Sequence, residues 1–367
     1  MHGNHADHGG QFFDDIGSRF DHLERRSNII NADVLDAWYD PSPRVIKAIS
    51  DHLPWLIKTS PPTHGDGLRR TIAETRNIPS EAILTAGGSS QLIFALLPHL
   101  VPPASEALTL EPCYGEYTHF LETVLQAKLQ RFILSPSLKF NPNWDEVNER
   151  ARDAAFVGIV NPNSPTGNIW DKHEILRLRE TMTKNSILWV DETYTDFAGK
   201  EHTLEAEASQ TPNLIVCKSM SKFYALSGLR IGYVVAHPDF ISRLEKFLPP
   251  WSVGLVAQVA GVNALLDLDY YRAKAVETAH LRTELETAIS QLKGVTLFPS
   301  TANFLMVELG APHTAAAVTT AMRNFGVHVR NCASMGESLG DRFIRVAVKN
   351  RSDNHRIVEV LRECLSE

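Results

Sequence analysis

Two serines, a lysine and an arginine share one short stretch: Ser219, Ser221, Lys222 and Arg230. A lysine amine held away from water condenses with an aldehyde to a Schiff base. Serine hydroxyls and a guanidinium fork satisfy the oxygens of a phosphate. The set suits an anionic ligand with a reactive carbonyl, and pyridoxal 5'-phosphate (PLP) carries both groups. The same residues also read as a polar surface turn, so partners elsewhere in the chain must decide.

PLP chemistry names those partners. A carboxylate must keep the pyridine nitrogen protonated so that the ring accepts electrons. Asp191 follows the apolar run Ser186-Ile187-Leu188-Trp189-Val190 and suits that role, as it also suits a helix N-cap. Tyr194, three residues on, can reach the ring hydroxyl. Tyr114 can lie against a flat ligand or sit at the rim of the core. Gly87-Gly88-Ser89-Ser90 lies between an apolar strand and an apolar helix. Free N–H groups at such a helix start attract anions, although ordinary strand-to-helix turns look alike. Gly88, Ser89 and Ser90 with Ser219 and Arg230 would hold the phosphate. Lys222 would hold the cofactor and, once displaced by substrate, act as acid and base at the substrate carbon.

The elements that must position these residues alternate. Strands are expected over 81–86, 107–110, 130–134, 155–160, 186–190, 214–217 and 231–236, with helices over 44–52, 68–76, 91–97 and 171–183 between them. Near-continuous apolar strands point to an α/β fold with a largely parallel sheet covered on both faces. Ligands in such sheets sit at the carboxyl ends of strands, where Gly88, Tyr114, Ser164, Asp191, Tyr194 and Lys222 all fall. Beyond residue 250 come helices over 254–268, 269–292, 314–325 and 354–365, and strands over 295–298, 304–308, 327–330 and 343–348. That pattern reads as a smaller α+β domain. The expected division is an arm over 1–45 belonging partly to the small domain, a large domain over 46–250, and the small domain over 251–367. The arm reads as irregular, with one polar helix over Phe12 to Arg26.

Composition excludes several functions. Of 367 residues, 43% are apolar and 22% charged, and the formal net charge of −7 gives no basic surface for nucleic acid. No apolar run approaches the ~20 residues of a membrane span. The start lacks the cationic and apolar regions of a signal peptide. Cys113, Cys217, Cys332 and Cys364 are scattered without a paired spacing, which suits a reducing compartment. His2, His5 and His8 recur every third residue but lack further ligands, so no metal site is expected. A cytoplasmic enzyme is the expectation.

Asn161-Pro162-Asn163-Ser164-Pro165-Thr166-Gly167, Asp191-Glu192-Thr193-Tyr194 and Ser219-Met220-Ser221-Lys222 with Arg230 together resemble the fold-type I, class I/II aminotransferases in order and spacing. The resemblance implies PLP, a homodimer, and a large domain with a mostly parallel seven-stranded sheet beside a smaller domain. Within the family the chain resembles the histidinol-phosphate aminotransferase branch and, inside it, the L-threonine-O-3-phosphate decarboxylases. His8-Gly9-Gly10, Ser221 to Leu226 with Gly228-Leu229-Arg230, Pro250-Trp251-Ser252-Val253, and Arg330 with Arg345 carry that likeness. It implies that Arg345 takes a substrate α-carboxylate, while Arg330 and His8 take a distal phosphate or similar group. Without the resemblance, Arg330 reads as a surface ion pair.

Three departures cluster around the substrate. Ser164 replaces the usual Asn before Pro-Thr-Gly, leaving Ser164 or Asn163 to serve the ring hydroxyl. Ser60-Pro61 replaces a Tyr-Pro that reaches the neighbouring subunit's cofactor phosphate. Asn31 to Trp38 lacks the Asn-Pro of the N-terminal substrate loop. The expected activity is decarboxylation of an amino acid carrying phosphate or phosphonate. The alternatives are an aminotransferase of the histidinol-phosphate type, a cyclase or eliminating enzyme of the same fold, or a PLP-carrying binding protein.

Overall fold

Seven strands form the sheet that carries the turns with the candidate site residues: β2 (Ile83–Ala86), β3 (Glu106–Glu111), β4 (Lys128–Ile133), β5 (Phe156–Val160), β6 (Ile187–Asp191), β7 (Leu214–Ser219) and β8 (Gly232–Val235). They follow β1 (Ile30–Ala32), which belongs to a second sheet. The computed structural model describes residues 9–17 and 19–366. The strand order is β2-β8-β7-β6-β5-β3-β4, and only β8 runs against its neighbours. The mostly parallel sheet expected from the sequence is therefore present.

Strand parity explains why β5 to β7 read as unbroken apolar runs. Side chains alternate between the faces. Leu188, Val190, Leu214 and Val216 pack into one core, and Ile187, Trp189, Ile215 and Cys217 into another on the opposite face. All are buried, each removing apolar surface worth about 1.5–3 kcal/mol for a large side chain.

The reversed β8 has a local consequence. Its first residue, Gly232, pairs with Ala86 on one side and Ser219 on the other. The residues just before it, including Arg230, are thereby delivered to the carboxyl ends of β2 and β7. The helix Ser89–Leu100 starts at the same edge. The sequence suggests that this helix stops at Leu97, because Pro98 lacks an N–H. It continues to Leu100, and Val101 N–H still reaches the Leu97 carbonyl at 2.9 Å.

The second sheet has the order β1-β11-β12-β10-β9 and comprises β9 (Val295–Leu297), β10 (Phe304–Leu309), β11 (Val327–Asn331), β12 (Phe343–Ala347) and β1. β1 pairs in parallel with β11, so the sheet recruits a segment from the irregular-looking start of the chain. Three residues are too few for a periodic signal. The expected helix over Phe12 to Arg26 is also corrected. It spans Phe12–Ile16 and stops at Gly17, whose φ of 95° lies outside the helical region, and a separate 3-10 helix covers Leu23–Asn28. Arg330 and Arg345 are direct cross-strand partners, so they emerge on one face.

A buried charge cluster lies on the opposite face of β7 from Asp191. Lys218 Nζ is 3.3 Å from Glu192, 3.7 Å from Asp196 and 4.0 Å from Glu205. Arg76 adds an ion pair to Asp196 at 3.0 Å and one to Glu205 at 3.6 Å. Tyr233 donates to Glu205 at 2.8 Å. Burial pushes the Glu192 carboxyl up to about 7, with Lys218 pulling it down and Glu205 pushing it up. No described helix is long and apolar enough to cross a membrane.

Candidate active site

A cavity of about 920 Å³ opens where the carboxyl ends of the large sheet meet the second sheet. Ser219, Ser221, Lys222 and Arg230 enter it from the turn after β7. The turn is internally braced. Ser221 N–H donates to Ser219 Oγ at 3.2 Å, and Arg230 Nη1 donates to Ser221 Oγ at 3.2 Å and to the Ser227 carbonyl at 3.0 Å. Arg230 holds φ 51°, an uncommon conformation for a side-chain-bearing residue, and its guanidinium lies against Gly88.

Ser89 and Ser90 line the opposite wall, with Gly88 packed behind it against Arg230. A Cβ on Gly88 would come within 2.8 Å of Arg230 Nη2, and Gly88 has φ +93°. A Cβ on Gly232 would come within 2.7 Å of Ser89 N. The sequence therefore leaves out side chains where backbone must approach backbone, making a cup of N–H, hydroxyl and guanidinium donors.

Asp191 sits at the floor. Its Oδ1 accepts from Thr193 N–H at 2.9 Å and from Thr193 Oγ1 at 2.6 Å. Its Oδ2 accepts from Tyr117 Oη at 2.7 Å, and Tyr117 accepts in turn from Trp189 Nε1 at 2.8 Å. Burial pushes the Asp191 carboxyl above its ordinary value; the bonds from Thr193 and Tyr117 and the Lys218 charge pull the other way. A cationic ring nitrogen would favour its charged form. Tyr114 borders the cavity with its ring 6.1 Å from that of Tyr117, edge to face. Burial, followed by Glu116 and Asp191, pushes its phenol up to about 12, so the ring is neutral.

The wall from the second sheet carries Arg330 and Arg345. Arg345 Nη1 donates to Ser164 Oγ at 3.0 Å and Nη2 to the Asp33 carbonyl at 3.1 Å, while Nε has no hydrogen-bond partner among the described residues. Tyr194 lines the cavity beside Ser164 and packs edge to face on Phe304 at 5.2 Å. Arg330 Nη1 stands 3.9 Å from Asp33 Oδ1.

Of the residues singled out from the sequence, Gly88 does not line the cavity, and neither does Asn163. Its Nδ2 is spent on the Pro112 carbonyl and on Thr166 Oγ1, both at 3.0 Å, bracing the turn that presents Ser164. Ser60 is exposed and does not line the cavity. His8 lies outside the described residues, although Gly9 lines the cavity and Gly10 N–H donates to Asp33 Oδ2 at 3.0 Å. Three further residues are not marked by the sequence motifs: Asp33, which lines the cavity, Asp36, which meets Lys222, and Tyr117, which donates to Asp191. Two acids within the apolar stretch Ala32, Val34, Leu35, Ala37 and Trp38 were the available signal. Asp36 Oδ1 lies 3.0 Å from Lys222 Nζ.

Residues 28–361 match the family described as aminotransferase class I and II. The chain belongs to that family. It is 29% identical over 327 residues to the histidinol-phosphate aminotransferase of Symbiobacterium thermophilum, covering 89% of this chain and 88% of that one. Two solved structures share the fold. The histidinol-phosphate aminotransferase of Sinorhizobium meliloti in complex with pyridoxal-5'-phosphate has a TM-score of 0.81 at 19% identity, covering 94% of each chain. The L-threonine-O-3-phosphate decarboxylase of Porphyromonas gingivalis has a TM-score of 0.80 at 23% identity, covering 92% of this chain and all of that one. The protein is thus a PLP-dependent enzyme of fold-type I. The donor cup, the buried Asp191 and the cavity lysine fit that cofactor. Gly232→Ala is expected to force the cup apart, weakening PLP capture at least tenfold and costing about 1–3 kcal/mol of stability. Cofactor titration and urea unfolding check both effects.

Proposed function

We propose that the enzyme is an aminotransferase, passing an amino group between an amino donor with a second acidic group and an oxo acid. The observation that carries this is the meeting of Lys222, Asp191 and Arg345 in one cavity. When bound, PLP supplies the sink for charge developing at the substrate carbon. The remaining work falls to the chain's own groups. Asp191 would keep the ring nitrogen protonated and Tyr114 would flank the ring. Ser164 and Tyr194 would serve the ring oxygen. Gly88, Ser89, Ser90, Ser219, Ser221 and Arg230 would hold the phosphate. Lys222 Nζ would act as the base that takes a proton from the substrate carbon and as the acid that gives it back. Arg345 fixes the substrate carboxylate with a bidentate fork, and Arg330 with His8 meets the distal group. The kinship to histidinol-phosphate aminotransferases supports transfer as the reaction.

A homodimer belongs to the same reading, supported by the exposed Ile46, Leu53, Trp55 and Ile57 on neighbouring helices, and the four free cysteines suit a cytoplasmic setting. Decarboxylation of a phospho-amino acid is the second reading. The place of Gly9 in the cavity lining favours it, because Gly9-Gly10 is part of the element that carries the likeness to the decarboxylases.

Glutamate, histidinol phosphate, O-phospho-L-serine and O-phospho-L-threonine would each be incubated with the holoenzyme. Oxo product with conversion of the cofactor to its amine form supports transfer; carbon dioxide without it supports the second reading. Arg345→Ala is expected to weaken binding of a carboxylate-bearing donor by about 10–100-fold, matching the ~1.5–3 kcal/mol of hydrogen bonds to charge. PLP affinity should change less than threefold. Equal loss of both would place Arg345 elsewhere.

A further inference from the structure

Lys222 has a partner that the family likeness does not supply. Asp36 Oδ1 lies 3.0 Å from Nζ, and the segment bearing it, Asn31 to Trp38, is where the chain departs from its relatives' pattern. Asp33 and Asp191 line the same cavity, and two cations bear directly on the amine. Arg230 faces it from the lysine's own loop and Arg345 from β12. Lys349, just beyond β12, donates to the Asp36 carbonyl at 3.4 Å and adds to the same field. Burial pushes the Lys222 ammonium below its ordinary value; Asp36 opposes this, while Arg345 and Arg230 reinforce it. For Asp36, burial pushes upwards, but Lys222, Ser227 and Lys349 outweigh it and leave the carboxyl lowered.

A base that accepts a proton becomes an ammonium, and an ammonium beside three cations is unfavourable. A carboxylate in contact with it offsets that cost. We propose that Asp36 is the positioning residue for Lys222, holding Nζ towards the cavity and stabilising the ammonium formed when the amine takes the substrate proton. One N–H bond forms at Nζ as the substrate C–H bond breaks, and Asp36 stays a carboxylate throughout. The inference rests on Lys222 being the lysine that carries PLP.

The test is made first on folded apoprotein. Acetic anhydride labelling across pH, resolved residue by residue by mass spectrometry, reads the protonation of Lys222 without any turnover. Asp36→Asn is expected to move the Lys222 profile to lower pH by roughly one to three units, the range for loss of a contacting opposite charge. Asp36→Glu should restore most of the shift, and it serves as the second variant should Asp36→Asn fold poorly. In the holoenzyme, Asp36→Asn should lower kcat more than it raises KM. Unchanged labelling profiles in a folded Asp36 variant would overturn the proposal. Borohydride reduction of the holoenzyme is read separately: cofactor fixed to a residue other than Lys222 would sink the functional reading, whatever the labelling shows.

Discussion

Lys222→Ala is expected to abolish the covalent hold on PLP and to lower turnover by roughly 10²–10⁴-fold through lost acid–base catalysis alone. Stability should hardly move. The Lys222–Asp36 pair is partly open to solvent, with Asp36 38% exposed, so its removal costs about 1 kcal/mol or less. The checks are mass spectrometry after borohydride reduction, single-turnover kinetics, and a urea midpoint. Loss of activity together with collapse of the midpoint would mean that Lys222 is a structural group, contrary to its assigned role.

Lys218→Met should behave in the opposite way. This lysine lies four residues earlier but is buried on the other face of β7, among Glu192, Asp196 and Glu205. Removing it leaves carboxylates with only Arg76 to balance them. Breaking a buried pair from one side costs about 3–5 kcal/mol, a loss that a urea midpoint resolves easily. The penalty should depend on pH, and the sign follows from Glu192. Its folded value, about 7, lies above the ordinary carboxyl value of 4.5. A raised carboxyl contributes stability that is fully present below its unfolded value and is lost as pH rises through the folded one. Without Lys218 the folded value moves higher still. The variant should therefore be least impaired near pH 5 and most impaired above pH 7. A penalty that is flat across that range would mean the cluster does not titrate.

The contrast between the two lysines shows what could be read from the sequence and why. β7 pairs with β6 so that Asp191 faces Cys217, and alternation then puts Ser219 with Asp191 and Lys218 on the reverse. Parity thus sends Lys218 into the core and Ser219 to the cavity, while Lys222 lies beyond the strand, in the turn that follows it. Asp191, Tyr194, Ser164 and Arg230 were legible for a similar reason, since each closes or follows a strand at one edge of a parallel sheet. Asn163 was not legible, because neighbours in a turn can point to opposite sides and only Ser164 meets Arg345. Nor were β1 and the acids that follow it. Strand β1 is short and its partner β11 lies almost three hundred residues away, so neither periodicity nor local turn chemistry marks it. Asp33 and Asp36 acquire meaning only when that pairing brings them to Arg330, Arg345 and Lys222.

The reversed strand β8 also sets an order of events in folding. Gly88, Ser219 and Arg230 become neighbours only when β8 has slotted between β2 and β7, joining segments far apart in the chain. Contacts of that separation form late, after helices and local turns. During refolding, the ability to capture PLP should therefore lag the recovery of helical signal, and the cofactor would report the docking of the edge strand β2 onto β8 rather than the first collapse of the chain.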